Sequence, residues 1–437
     1  MPRHDRNRLT LTDIMNITYN IAVNAMNSAL RLYSKCLGKN CRRKFPLFAK
    51  GQQGLLDRVA AEMSGERQGP TVWFHAASLG EYAVARPLID MLKKAGPCTV
   101  VLTFFSPSGY QALKDNHPGV DHLFYLPLDT RHNAKRFIEI VNPQKAVFII
   151  SEYWPNYLQQ LKFHSVPTYL VSAIVREDSQ FFRWYGKIYS KSLSAFTRIF
   201  VLNESSRFNL RMLGYTDVTV SGDPLFDNAA LVARTPWSDQ VFDAFTAGHK
   251  TFIAGSISDS KDLDLVATLA HRHPDTKFIF VPHSLDRHSI ESIEEALKGR
   301  TLRYTDCNAD TDFSNTQVLI ADTMGMLARI YRYGTWAYVG GGFTPLLHSV
   351  IEATVYGLPV AFGPMIHRKV TPQQLIELGI GCKVTDSDEL DRWWTSLAYD
   401  DAQLASIRSK ALEYVDSNVG ATNQIIDTIK QGLWEKS

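Results

Sequence analysis

The sequence predicts an α/β chain of two doubly wound domains, and three observations lead there. Length is the first: 437 residues exceed the roughly 250 to 300 at which a single hydrophobic core stops growing. The second is a rhythm, from residue 71 onward, of short β-branched runs alternating with helical patterns, as βαβ units around a parallel sheet require. The third is a pause in that rhythm between residues 229 and 250, where Pro236, Ser238, Asp239 and Gly248 mark a linker.

In the first half, strands are expected at 72–76, 99–104, 146–150, 168–172, 199–202 and 218–220; in the second, at 252–254, 277–281, 317–320, 336–339 and 359–362. The expected division is an N-terminal amphipathic segment over 1–50, a Rossmann-like domain over 51–228, the linker over 229–250 and a second Rossmann-like domain over 251–437. The last helices of that domain are free to cross back. In open sheets of this kind ligands bind outside the carboxyl ends of the strands, which places the expected site in a central cleft that both domains face.

Composition narrows the class. Apolar residues make up 45% and charged residues 21%, which fits a globular chain and not a disordered one or a bundle of membrane spans. A net charge of +3 gives no global footprint for nucleic acid, and none is expected as a partner. The five cysteines, at 36, 41, 98, 307 and 382, are scattered and lack CxxC spacing, so neither a disulfide framework nor a zinc site is expected and a reducing setting fits. No metal or cofactor is expected, because carboxylates and histidines do not cluster at ligand spacing.

Near the N-terminus Ile14, Ile17, Ile21, Met26, Leu30 and Tyr33 recur, while Asn16, Asn20, Asn24 and Asn27 interrupt the run. Four asparagines argue against a spanning helix. An apolar stripe followed by Lys39, Arg42, Arg43 and Lys44 suits a helix lying at a membrane surface; a helix packed on its own domain remains the alternative.

Three strand-to-helix passages could carry chemistry. In His75-Ala-Ala-Ser78-Leu-Gly80-Glu81, a carboxylate lands in the first helical turn at the sheet edge, where it can serve as a general base or merely complement the helix dipole. Ser151-Glu152-Tyr-Trp154-Pro155 repeats the arrangement: Glu152 is either a group that orients an acceptor or a structural partner of an arginine. In the second half, Gly340, Gly341 and Gly342 precede His348, Ser349, Val350, Ile351 and Glu352. A helix starting near Ser349 would aim N–H groups at a phosphate, whereas the glycines alone could serve backbone geometry only. Ser256, Pro282 with His283, and Met324, Gly325 and Met326 also follow strands on the same edge. Neither GxGxxG nor GxxxxGK[ST] occurs at a suitable place.

At these residues the chain resembles the Kdo transferases, the 3-deoxy-D-manno-octulosonic acid transferases of Gram-negative lipopolysaccharide synthesis, particularly the Bacteroidetes-like branch. The resemblance runs from about Val72 to Gly420 and rests on HAASLGE (75–81), TFFSPSGY (103–110), YLPLD (125–129), EYWPNYL (152–158), FFRWYG (181–186), GDPLFD (222–227), YVGGGF (338–343) and EATVYGLPVAFGP (352–364). It implies a GT-B glycosyltransferase fold with an N-terminal acceptor domain and a C-terminal donor domain. The implied reaction is inverting transfer of Kdo from CMP-Kdo to a lipid A precursor of the lipid IVA type. Its setting would be the cytoplasmic face of the inner membrane, with surface lipids as further partners and a peripheral or monotopic attachment.

The resemblance assigns the general base to Glu81 and CMP contacts to Pro282, His283, Met324 to Met326 and Ser349 to Glu352. Ser256 and His348 join the donor group by position. Ser78, Glu152 and Arg176 are the acceptor-side candidates, with Arg183 a further cation. The chain departs from the broader family at Ile150, Leu225, His283, Met326 and Ser349; Leu225 stands where many members carry a basic residue. Two other functions stay open at this point: transfer from a different nucleotide sugar, and a non-catalytic paralogue that binds lipid or nucleotide.

Overall fold

The computed structural model describes residues 11–35, 44–297, 299–367 and 369–435. The expected cations Lys39, Arg42 and Arg43, together with Cys36 and Cys41, lie outside them. The chain forms two compact units, one of residues up to Asn228 together with those from Val419 onward, the other Ala229–Asn418.

The first unit holds β1 (Thr71–Ala76), β2 (Thr99–Phe104), β3 (His122–Tyr125), β4 (Lys145–Ile149), β5 (Thr168–Ala173), β6 (Arg198–Val201) and β7 (Val218–Val220). They lie in the order β3-β2-β1-β4-β5-β6-β7, with every pairing parallel. The second unit holds β8 (Thr251–Ile257), β9 (Lys277–Pro282), β10 (Thr301–Arg303), β11 (Val318–Ile320), β12 (Trp336–Val339), β13 (Val360–Phe362) and β14 (Gly381–Lys383). Their order is β10-β11-β9-β8-β12-β13-β14, again all parallel. The eleven strands expected from sequence are all present within one to three residues at their ends. The three that periodicity did not reveal, β3, β10 and β14, are short and lie at sheet edges, where burial is incomplete and the apolar signal is weak.

Four helices open the first unit: α1 (Leu11–Lys35), α2 (Lys44–Gly51), α3 (Leu55–Met63) and α4 (Leu79–Ala95). Strands of the first sheet are buried on both faces. Trp73 and Phe148 point to a core completed by α2, α3 and the helix Pro155–Phe163. Val72, Phe74 and Ala76 point to the opposite core, which α4 and the helix Ala421–Ile429 complete. That last helix starts on a carboxylate from far away in sequence, since Asp227 accepts the N–H groups of Gly420 and Thr422 at 2.6 and 2.7 Å and the Thr422 hydroxyl at 2.7 Å. It satisfies donors that a helix start leaves unpaired.

The expected N-terminal helix exists, but its inward face holds only part of the apolar stripe. Val23 and Leu30 are buried, whereas Ile14, Ile17 and Ile21 are exposed. The asparagines explain this: Asn20 faces the domain and accepts from Asn156 at 3.1 Å. Beside it the Tyr19 hydroxyl donates to Asp129 at 2.7 Å. Asp129 is fully buried and also accepts the Asn156 and Tyr157 N–H groups at 3.1 and 3.0 Å. No helix among the described residues is long and apolar enough to cross a membrane.

Asp227→Ala should loosen the Ala421–Ile429 helix by about 2 kcal/mol, the scale of hydrogen bonds to a charged group. Hydrogen exchange of its amides should then be roughly thirtyfold faster; unchanged protection would mean that apolar packing alone holds the helix.

Candidate functional site

In both sheets the sequence order reverses beside the first strand, between β1 and β4 in one and between β8 and β12 in the other. Such switch points leave a crevice at the carboxyl ends, because the crossovers on either side pack on opposite faces. The three strand-to-helix passages singled out from sequence follow β1, β4 and β12, and Ser256 lies near the end of β8.

At the first switch point Glu81 sits three residues after Ser78, the residue preceding α4. Its carboxylate turns back to accept the Ala77 and Ser78 backbone N–H groups, half of a capping box. Those bonds favour the charged form, but burial outweighs them and the neighbouring Glu152 charge adds to it, so the carboxyl is pushed up to about 8. The Ser78 side chain makes no cap bond.

Glu152 follows β4 through a strained residue. Ile150, expected to end the strand, lies past it at φ 64°, a left-handed conformation that costs a β-branched residue about 1–3 kcal/mol. Beyond the kink one carboxylate oxygen of Glu152 meets Trp154 Nε1 at 2.6 Å and His75 Nε2 at 3.0 Å. The His75 tautomer is assigned so that Glu152 receives two donors. Trp73 Nε1 donates to the Thr103 hydroxyl oxygen at 2.9 Å, and that hydroxyl donates to His75 Nδ1 at 2.9 Å. His75 Nε2–H and Trp154 Nε1–H then both donate to Glu152. His75 was not singled out individually from sequence; it is completely buried and ties β1, β2 and Glu152 together. Glu152 and Trp154 border a cavity of about 330 Å³ shared with Tyr19, Asp129, Ser151 and Tyr153. Arg176 joins none of these groups: it pairs with Asp178 at 3.3 Å at the surface. Arg183 is exposed.

In the second unit, Ser256 lies at φ 54° where β8 shifts register against β9. Gly340 passes so close that a Cβ there would collide with the Ser256 carbonyl oxygen, so glycine is required by proximity. Asp262, which sequence reasoning missed, holds this turn from a fully buried position. It accepts the Tyr338 hydroxyl and the Gly341 N–H, both at 2.7 Å. The helix expected near Ser349 is a single turn, Ile351–Thr354, ended by Gly357 at φ 78° and Pro359.

His283 and His348 are brought together with ring centroids 4.4 Å apart. Burial, then the nearby His283 and Lys369, push His348 down to about 4, which leaves a neutral imidazole at pH 7. Lys369 is a missed cation. Burial lowers its ammonium from the ordinary lysine range. Burial also pushes the Glu352 carboxyl up to about 7. Pro282 is buried at the end of β9; Met324 and Gly325 are exposed, and Met326 is half-buried beneath the Thr323 hydroxyl at 2.6 Å. Ser349 is half-buried, while Val350 and Ile351 are buried. Among the described residues no group of three or more His, Cys, Asp or Glu side chains could hold a metal ion.

The arrangement suits proton abstraction in the first unit and anion binding in the second. Removing the like charge beside Glu81 should lower its pKa, since a neighbouring negative charge disfavours ionisation. Glu152→Gln is therefore expected to move the Glu81 midpoint below about 8 in a side-chain NMR titration, with Trp154 and His75 still donating to the amide oxygen. An unmoved midpoint would leave burial as the sole cause.

Residues 52–228 match the N-terminal model of the 3-deoxy-D-manno-octulosonic-acid transferase (kdotransferase) family. The 3-deoxy-D-manno-octulosonic acid transferase of Haemophilus influenzae is 24% identical over 383 residues, covering 83% of this chain and 87% of that protein. The protein of the same name from Bordetella pertussis is 24% identical over 433 residues, covering 95% and 99%. Among solved structures, the UDP-GlcNAc 2-epimerase of Neisseria meningitidis superposes with a TM-score of 0.60 at 13% identity, covering 83% of this chain and all of that one; a likeness at that identity concerns the fold alone, which is GT-B. The family model over the first domain and the relatives that extend into the second carry the same name, so over most of its length the chain is similar to 3-deoxy-D-manno-octulosonic acid (Kdo) transferases.

Proposed function

We propose that the protein transfers Kdo from CMP-Kdo to a lipid A precursor of the lipid IVA type, with inversion at the anomeric carbon and Glu81 as general base. The observation that carries this is the Glu81 carboxyl at the first switch point, raised to about 8 by burial and by Glu152. A carboxylate of that basicity accepts a proton from an attacking hydroxyl far better than an ordinary one. The acceptor oxygen bonds to the anomeric carbon as its proton passes to Glu81. The bond from that carbon to the phosphate oxygen breaks, and CMP leaves with the electron pair.

CMP departs as an anion and needs electrostatic support more than a proton. Lys369, the His283–His348 pair and the backbone of the glycine turn would supply it within the second domain. Glu152, locked by His75 and Trp154, would hold the acceptor and set the basicity of Glu81. No metal is required. The exposed Ile14, Ile17 and Ile21 on α1 would rest on the cytoplasmic face of the inner membrane, in the manner of an interfacial helix.

The test is incubation of the purified protein with CMP-Kdo and a lipid A precursor, following CMP release, lipid mass and the configuration of the new bond. Glu81→Gln should lower kcat by about 10²- to 10⁴-fold, the usual share of a general base, with little change in KM for CMP-Kdo. Below its pKa the carboxyl is protonated and incompetent, so kcat/KM should climb with pH to a plateau above about 8. No lipid mass gain at high enzyme concentration would sink the proposal, and consumption of another nucleotide sugar instead would reassign the donor. Ile17→Asp with Ile21→Asp should reduce co-sedimentation with anionic vesicles by about tenfold or more; undiminished binding would remove α1 from the membrane contact.

A further inference from the structure

α1 leaves a second apolar feature, an open groove along its flank walled by the exposed Met26, Tyr33 and Phe45. Between α1, α2 and the turn that follows β2 lies a cavity of about 640 Å³, within the roughly 300–1,000 Å³ range of ligand sites. Met26, Tyr33, Phe45, Phe48, Phe105 and Pro107 line most of it, and among the described residues no charged side chain does. Among the described residues its side-chain polar groups are the Tyr33 and Ser106 hydroxyls.

The cavity leads to the candidate acceptor side. Met26, Phe105 and Leu128 line it and also the smaller cavity that holds Glu152. Phe105 spans the junction, its ring 4.9 Å from that of Phe48 on one side and 5.0 Å from that of Trp154 on the other. Trp154 in turn donates to Glu152 at 2.6 Å. The two spaces share these walls, and an amphipathic molecule lying across both would present its polar end to Glu152.

We infer that this cavity is a subsite for one acyl chain of the lipid acceptor, so that chain burial beside α1 helps to bring the sugar hydroxyl toward the Glu152 and Glu81 turns. The inference rests on the lipid-acceptor reading above. A hydrocarbon chain fits because it gains from leaving water and asks for no hydrogen bonds. A peptide segment in the same place would bury amide groups with two hydroxyls to satisfy them.

Ala29 lines the cavity from an exposed position on α1, so Ala29→Trp fills the space without removing a core contact. The readout is the ratio of kcat/KM for the lipid A precursor to that for the same precursor stripped of its chains. Both are measured on one sample, so partial misfolding cancels. The ratio should fall at least tenfold in the variant, through KM; an unchanged ratio would overturn the subsite. A second measurement needs no turnover: a precursor with a diazirine at the end of one chain is photolysed on the full-length protein and labelled peptides are mapped. Labelling at Met26, Phe45 or Phe105 that Ala29→Trp suppresses supports the subsite. Labelling confined to Ile14, Ile17 and Ile21, or abolished equally by phosphatidylglycerol vesicles, assigns the contact to bulk lipid and overturns it. Cavity labelling in a protein that releases no CMP from CMP-Kdo would leave the subsite standing and remove the transferase reading.

Discussion

β1 hydrogen-bonds to β2 on one side and β4 on the other, and the chain leaves β1 and β4 toward opposite faces of the sheet. α4 packs in the core with Val72 and Phe74, whereas the helix after β4 packs in the core with Trp73. Two loops that diverge from adjacent strand ends cannot fill the space between them. Glu81, in the first turn of α4, and Glu152, on the loop after β4, stand at that divergence, and their chemistry depends on it. The second sheet repeats the constraint with β8 and β12, where Gly340 and Ser256 come into backbone contact.

Within this frame, desolvation does most of the chemical tuning. Glu81 keeps hydrogen bonds from two backbone N–H groups, which alone would hold it in the ordinary carboxylate range or below. Burial reverses the direction, and the like charge of Glu152 adds to it. The same cause acts on Glu352, His348 and Lys369: each is biased toward its neutral form by removal from water. Groups held this way respond strongly when an anionic ligand or a transferred proton changes the local charge. The strain at Ile150 belongs to the same design, since a relaxed extended residue there would carry Glu152 past His75 and Trp154 instead of onto them.

α1 docks through a mixed face, on which Tyr19 and Asn20 sit beside the buried Val23 and Leu30 while Ile14, Ile17 and Ile21 face away. Asn20 and Tyr19 dock it through Asn156 and the buried Asp129, a polar attachment that frees the isoleucines for another surface. Farther along the helix, Met26, Ala29 and Tyr33 wall the apolar cavity. One helix therefore joins the Glu152 side of the domain to whatever its isoleucines touch.

The sequence by itself determined the two-domain α/β architecture, most of the strands and the turns that carry the site, because these follow from local periodicity and from the residues a strand-to-helix turn accepts. It pointed to Glu81, Glu152 and the glycine turn for the same reason. It could not show that His75 meets Glu152, that Lys369 stands by His348 or that Asp262 braces the glycine turn, since those partners are 77, 21 and 79 residues apart and no short-range pattern relates them. Nor could it place the terminal helix on the first sheet through Asp227. Only the tertiary structure decided which carboxylates lose their water, and with that which of them can hold or take a proton near neutral pH, because desolvation is a property of everything packed around a group and not of the group's neighbours in the chain.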